Sequence, residues 1–321
     1  MAGVALESRF LLKVAITGAG GYVGALMVRA HSARGDRVCA TARSGAAIPD
    51  LPGVTRYVAD LTAPDTVPDA FFDDADVVYH CAAEIVHESL MRTVNVDATR
   101  ALLARARGRI GHWVQVSSLS VYGTLRAGVI GSQSQEQPRS AYARSKQEAD
   151  RLVAANSDAY THAIVRPSAV IGAHMRTRSI HALVEAVARG RFCFIGAPGA
   201  IGNYIHEDNL ADALYLCATH ERARNRTYIV SQNCTIEDMV AVIASETGAA
   251  RPLRIPETAA RLAAQVGRIV PSFPLTPARV DALTSRVEYR TDAIESELGY
   301  RHQSSIEDAL REIVSMRKAE R

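Results

Sequence analysis

Eight residues near the start of the chain, Thr17-Gly18-Ala19-Gly20-Gly21-Tyr22-Val23-Gly24, restrict the fold more than any other stretch. Before them, 11–16 is a short apolar, partly β-branched run of the kind that forms a strand covered on both faces. After them, 22–33 places Val23, Leu26, Met27 and Ala30 at helical spacing, and Gly35 closes the segment. The reading is strand, turn, helix. In such a turn the first glycine permits the tight bend, the next lets backbone approach a bulky anion, and the last lets the helix pack closely on the strand. The helix then opens with free N–H groups that favour phosphate. A second strand-like run, 37–42, follows at β-α-β distance, so the turn is expected to hold the pyrophosphate of a dinucleotide.

The alternation continues. Strands are expected at 11–16, 37–42, 54–58, 76–81, 112–117 and 162–166, with helices at 22–33, 90–107 and 142–155. Such a pattern implies an α/β fold with a doubly wound, parallel sheet. From Gly172 the pattern changes to helices at 179–189, 210–219 and 235–247 and a strand at 227–230. A Pro-bearing last third carries Pro252, Pro256, Pro271, Pro274 and Pro277 among short helical stretches. We therefore expect a Rossmann domain made of 11–171 plus about 204–231, and a smaller, mixed, discontinuous substrate lobe made of 172–203 plus 232–321.

Composition excludes several classes. Hydrophobic residues at 48% and charged ones at 22% are globular values, which removes disordered and fibrous chains. A net charge of +3 without a long basic run gives no footprint for nucleic acid. Cys39, Cys81, Cys193, Cys217 and Cys234 lack C-x-x-C spacing, so they read as buried small hydrophobes rather than a disulfide framework or a metal site. No run reaches the roughly 18 residues of a membrane span, and the N-terminus lacks a signal-peptide layout. The expectation is a cytoplasmic protein acting on a small molecule.

A second motif names a family. Tyr142-Ala143-Arg144-Ser145-Lys146 opens a helix, and Val116-Ser117-Ser118-Leu119-Ser120-Val121-Tyr122-Gly123 ends a strand upstream of it. With the glycine turn, these resemble the extended short-chain dehydrogenase/reductase superfamily, including its NAD(P)-dependent epimerase/dehydratase and 3β-hydroxysteroid dehydrogenase-like branches. The resemblance covers nearly the whole chain. It takes in Asp60-Leu61, Cys81-Ala82-Ala83, Asn95-Val96-Asp97-Ala98-Thr99, Arg166-Pro167-Ser168 and Glu297-Leu298-Gly299-Tyr300 in the family's order.

Chemistry gives these residues tasks. A phenol titrates near pKa ~10, so Tyr142 carries protons at neutral pH only if its anion is stabilised. Lys146, one helical turn later on the same face, does that. The resemblance implies that Lys146 also holds the nicotinamide ribose, that Tyr142 is the general acid/base, and that Ser118 gives the second hydrogen bond to the reacting oxygen, ahead of Ser117 and Ser120. It implies a cofactor cradle of Thr17, Gly18, Gly20, Gly21, Tyr22, Val23, Gly24, Arg43, Asp60, Leu61, Cys81, Ala82, Ala83, Asn95, Tyr142, Lys146 and Pro167. At the end of the second strand Ala42 stands where NAD enzymes place an acid, and Arg43 follows. That pair points to NADP(H) over NAD(H).

The substrate is read mostly from absences. Leu119 and Ser120 replace the Asp-Glu pair of sugar-nucleotide dehydratases, and 166–172 lacks the Asn usual in sugar-nucleotide epimerases. The tail from Leu275 to Tyr300 looks like the steroid dehydrogenase and related reductase branches. The expected activity is a ketoreductase-like interconversion of a ketone and a secondary alcohol on an apolar small molecule. Alternatives are a nucleotide-sugar epimerase or reductase, and a non-catalytic dinucleotide-binding subunit or redox sensor. Phe192, Phe194, Ile195, Phe273 and Leu275 line an apolar pocket or form the second lobe's core. His206 is read as structural. Helices 90–107 and 142–155 are expected to pair across the two-fold axis of a homodimer.

Overall fold

The computed structural model describes residues 11–173, 178–269 and 275–319. Phe273, named above as a pocket candidate, lies outside the described residues. In chain order the first elements are β1 (Lys13–Thr17), α1 (Tyr22–Ala33), β2 (Arg37–Ala42), β3 (Val54–Val58), β4 (Ala75–His80), α2 (Glu88–Arg92), α3 (Ala98–Ala106), β5 (Ile110–Val116), β6 (Ala127–Ile130) and α4 (Ala141–Ala154). They are followed by β7 (Thr161–Pro167), β8 (Ala169–Ile171), α5 (Arg178–Ala188), β9 (Phe194–Ile195), β10 (Ile201–His206), α6 (Glu207–Thr219), β11 (Arg226–Val230), β12 (Gln232–Thr235) and α7 (Ile236–Thr247). The last are β13 (Arg254–Ile255), α8 (Glu257–Ile269), α9 (Pro277–Thr284), β14 (Arg286–Tyr289), α10 (Asp292–Leu298) and α11 (Ile306–Ala319).

The central sheet has seven strands in the order β11-β7-β5-β4-β1-β2-β3. Each adjacent pair from β3 across to β7 runs parallel. This is the doubly wound α/β arrangement, and the strand order reverses between β1 and β4, where such folds open a crevice for ligands. Register sets what meets there, since Val14 pairs with Val38 on one side and Val77 on the other, which puts Thr17 opposite His80.

By compactness the chain forms two units. One holds the described residues up to Ser117, with Ser140–Val165 and Leu214–Thr227; the other holds Ser118–Arg139, Arg166–Ala213 and the chain from Tyr228. Ser118–Arg139 groups with the second unit because β6 within it pairs in parallel with β14. The first unit's core gathers Phe71, Phe72, Leu102, Leu103, Trp113, Val153 and Ile164. In the second unit β10 pairs with β12 antiparallel and with β8 parallel. One core there joins Leu119, Val121, Tyr122, Ile130, Ile229 and Val287. Another joins Ile195, Ala260, Ala264 and Val280, with Leu275 packed against it, so Ile195 and Leu275 belong to a core rather than a pocket wall.

Three local expectations are corrected. The buried stripe of α1 is Gly24, Leu26, Met27, Val28 and His31, whereas Val23 and Ala30 are only half-buried; the His31 Nδ1 is hydrogen-bonded to Asp36 Oδ2 at 2.7 Å. The helix expected at 90–107 is helical over 88–106 but changes winding in a π-helical turn, Thr93–Asp97, between α2 and α3. Of the cysteines, Cys39, Cys217 and Cys234 are buried, whereas Cys81 and Cys193 are partly exposed.

Candidate active site

The glycine turn is closed by contacts that leave no room for side chains. Gly18 has φ of +68°, and a Cβ there would lie 2.7 Å from the Ala82 nitrogen. A Cβ on Gly24 would lie 2.2 Å from the Gly18 carbonyl oxygen, so α1 packs directly on the turn. A Cβ on Gly20 would meet Ala47 at 2.9 Å and Ala42 at 3.2 Å. Gly21 caps α1 without a side-chain hydrogen bond, and the first turn carries no acid. The helix therefore presents its N–H groups beside a surface that any Cβ would obstruct, which fits a dinucleotide pyrophosphate.

Of the remaining cradle residues, Ala82 lies against this turn, and Arg43, Asp60, Leu61, Cys81 and Ala83 belong to the first unit. Arg43 is exposed just past β2, and Ala42 is buried. Asp60 accepts the Thr62 N–H at 2.9 Å, and that hydrogen bond holds its carboxyl below the usual range. Leu61 is buried, and Cys81, Ala82 and Ala83 are half-buried on the segment leaving β4. Pro167, at the end of β7, belongs to the second unit.

Sequence reasoning missed a buried polar relay beneath the turn. Thr99 donates to the Asn95 carbonyl at 2.8 Å, so its oxygen accepts from His80 Nε2 at 2.9 Å. His80 Nδ1 then accepts from the Thr17 hydroxyl at 2.7 Å, and the Thr17 oxygen accepts the Ala82 N–H at 3.3 Å. The bonds fix one tautomer. Desolvation, with the Lys146 charge adding to it, pushes His80 down from 6.5 to about 3, so the ring is neutral, as the relay requires. The signal available in the sequence was a lone His at the end of an apolar strand.

Asn95 sits in the π-helical turn, a feature frequent at functional sites. Its oxygen accepts the Glu84 N–H at 2.7 Å, and its amide donates to the Glu84 carbonyl at 3.0 Å and to Ser145 Oγ at 2.9 Å. Ser145 in turn donates to the Tyr142 carbonyl at 2.8 Å. Helix α4 is capped by Ser140, which accepts from the Ala143 N–H at 3.0 Å. Tyr142 and Lys146 therefore share a face near its N-terminus. Lys146 is buried; desolvation lowers its pKa, and the nearby Asp150 carboxylate opposes that shift. Asp150 accepts from the Ser117 hydroxyl at 2.7 Å, which accounts for Ser117. Ser118, in the second unit, caps the short helical turn Leu119–Tyr122 by accepting the Ser120 N–H at 3.2 Å. His206, also there, is buried at the end of β10, and its Nδ1 accepts the Asp208 N–H at 3.2 Å.

A doubly wound sheet, a glycine turn at its first crossover and a Tyr-x-x-x-Lys helix define an extended short-chain dehydrogenase/reductase, an NAD(P)-dependent enzyme. The chain belongs to the NAD dependent epimerase/dehydratase family, whose model matches residues 14–231. It is similar to a 4-hydroxy-2-methyl-3-oxo-4-farnesyl-3,4-dihydroquinoline-1-oxide ketoreductase of Stigmatella aurantiaca, 27% identical and covering 94% of this chain and 96% of that one. It is equally similar, at 27%, to a 2-alkyl-3-oxoalkanoate reductase of Stenotrophomonas maltophilia, covering 94% and 98%. Among solved structures, UDP-glucose 4-epimerase of Thermotoga maritima shares the fold with a TM-score of 0.74 at 16% identity, covering 97% of this chain and all of that one. Among the described residues no helix is long and apolar enough to cross a membrane, and no cluster of His, Cys, Asp or Glu could hold a metal ion.

The relay predicts a pH dependence. His80 titrates near 6.5 unfolded and about 3 folded, so below 6.5 the unfolded chain binds a proton that the folded chain refuses. Stability falls as pH drops through that window, by up to about 1.4 kcal/mol per pH unit for this group. His80→Gln removes the component, so the variant should lose less stability than the wild type between about pH 7 and about pH 5 in urea unfolding. Equal losses would show that His80 is not the titrating group.

Proposed function

We propose that the protein is an NADP(H)-dependent oxidoreductase that interconverts a ketone and a secondary alcohol on an apolar small molecule. The observation that carries this reading is the buried Lys146 one helical turn from Tyr142, with Asp150 a further turn on. NADP(H), when bound, supplies or accepts the hydride. In reduction the Tyr142 hydroxyl donates its proton to the developing alkoxide, and Lys146 stabilises the phenolate that is left. Ser118 gives the second hydrogen bond to the reacting oxygen, a role taken from its place in the Ser-Ser-x-x-Val-Tyr-Gly pattern. Oxidation reverses these steps. The ketoreductase and reductase relatives, which match over nearly their full length, support the substrate class.

The family's name favours one rival, a nucleotide-sugar epimerase. The run Arg166-Pro167-Ser168-Ala169 lacks the Asn that such enzymes usually carry in an Arg-x-Phe-Asn-like pattern, which weighs against it. The preference for NADP(H) rests on the exposed Arg43 beside Ala42.

Three outcomes test the reading. Tyr142→Phe should lower kcat for ketone reduction by about a hundredfold or more, the usual worth of a positioned acid, while NADPH affinity holds. Equal rates in variant and wild type would refute the assigned acid. Arg43→Ala should raise the Kd for NADPH about tenfold and leave NADH unchanged, as loss of one charge-assisted phosphate contact implies. A wild type that prefers NADH by a similar factor would overturn the cofactor assignment. Uridine diphosphate should give no rise in Tm; a saturable rise would favour the epimerase.

A further inference from the structure

Arg166, near the end of β7, is only 4% exposed and takes no part in the steps above. A buried guanidinium is stable only where it is paired and hydrogen-bonded. Arg166 meets that demand by gripping one loop at two points. Its Nη1 donates to the Tyr122 hydroxyl at 2.9 Å, and its Nη2 donates to the Glu136 carboxylate. The guanidinium also lies over the Tyr122 ring, 5.1 Å from its centre. Tyr122 is itself 2% exposed, and its hydroxyl donates to the Ser132 carbonyl at 3.2 Å, so that oxygen both gives and receives.

Tyr122 ends the short helical turn that Ser118 caps. A turn this tight has poor internal hydrogen-bond geometry, so ties from outside decide where it sits. One tie is backbone: Gln137, next to Glu136, donates its N–H to the Val121 carbonyl at 2.9 Å. The other is Arg166, which holds the end of the turn through Tyr122 and the returning chain through Glu136. At the start of the turn the Ser118 oxygen accepts the Ser120 N–H at 3.2 Å, which leaves the hydroxyl its proton to donate. All of these residues lie in the second unit.

We propose that Arg166 is a positioning residue that, through Tyr122 and Glu136, sets the place of the Ser118 hydroxyl. The assignment rests on the reading above, in which Ser118 gives the second hydrogen bond to the reacting oxygen. A lysine would not replace it, because the planar fork offers separate N–H groups to two acceptors at fixed angles. A misplacement of about 1 Å can lower a rate on the order of a hundredfold, so loosening the turn acts on kcat. Cofactor affinity, which depends on the glycine turn, should hold.

The test is a double-mutant cycle on NADPH-dependent reduction of a methyl β-keto ester, with kcat, KM and the NADPH Kd measured separately. Tyr122→Phe keeps the ring and removes only the hydroxyl. We expect it to lower kcat about tenfold in the wild type but less than about twofold in Ser118→Ala, with the NADPH Kd unchanged. Glu136→Gln, at the partly exposed end of the clamp, should follow the same pattern with a smaller loss, and decides the matter if Tyr122→Phe does not fold. Equal losses in both backgrounds would mean general support of the fold and overturn the assignment, as would an unchanged kcat in both variants. A fully active Ser118→Ala overturns the donor role of Ser118 and the assignment with it, leaving the ketone reading standing. A wild type that binds NADPH but does not reduce the ester overturns the ketone reading and everything that rests on it.

Discussion

Helix α1 lies so close to the Gly18 carbonyl that residue 24 can carry no side chain. That contact organises the first unit. It fixes where α1 begins, and so where its unbonded N–H groups point. On the other side of the same turn the Ala82 backbone approaches Gly18 with equally little clearance. Three stretches separated in sequence therefore meet without a Cβ between them, and the surface they leave is one of backbone donors. A methyl group at either position would push α1 or the post-β4 segment outward and alter every distance downstream.

What holds those pieces in register is polar and buried. Reading from the turn, Ala82 donates to Thr17, Thr17 to His80, His80 to Thr99 and Thr99 to the Asn95 carbonyl. The Asn95 side chain donates to Ser145, and Ser145 to the Tyr142 carbonyl. Each hydroxyl both gives and receives, so the set tolerates one proton arrangement. A protonated His80 would offer two donors and leave the Thr17 hydroxyl without its acceptor. The desolvation that keeps the ring neutral is thus also what keeps the glycine turn tied to α4.

Much of this frame was legible in the sequence, and the reasons differ by element. The β1–turn–α1 unit and α4 declare themselves because period and punctuation agree, with glycines at the turn and Ser140 in place as a cap. The π turn at Thr93–Asp97 has no punctuating Gly or Pro, so nothing in the residues of helix 90–107 marks it. The small sheets of the second unit, with strands as short as Phe194–Ile195, carry no usable alternation. The cradle residues could be named from a motif, whereas the roles of His80, Thr99 and Ser145 in the relay could not. Their partners lie 63, 19 and 50 residues away: parallel register sets Thr17 opposite His80, while Thr99, Asn95 and Ser145 reach their partners from helical segments. Motifs show residues that face a ligand more readily than residues that aim them.

The electrostatics of α4 show why adjacent serines are not interchangeable. A buried ammonium at Lys146 is costly, and Asp150 offsets that cost from the same helix. Asp150 is itself buried and is held by the Ser117 hydroxyl at the end of β5. Ser117 therefore acts on the charge that sustains Lys146, while the residue after it in the chain carries the hydroxyl assigned to the reacting oxygen. The two serines that follow β5 are bonded differently, the Ser117 hydroxyl donating to Asp150 and the Ser118 oxygen accepting the Ser120 N–H. Moving a serine by one position would remove the counter-ion's partner and the proposed donor together, even though composition would be unchanged.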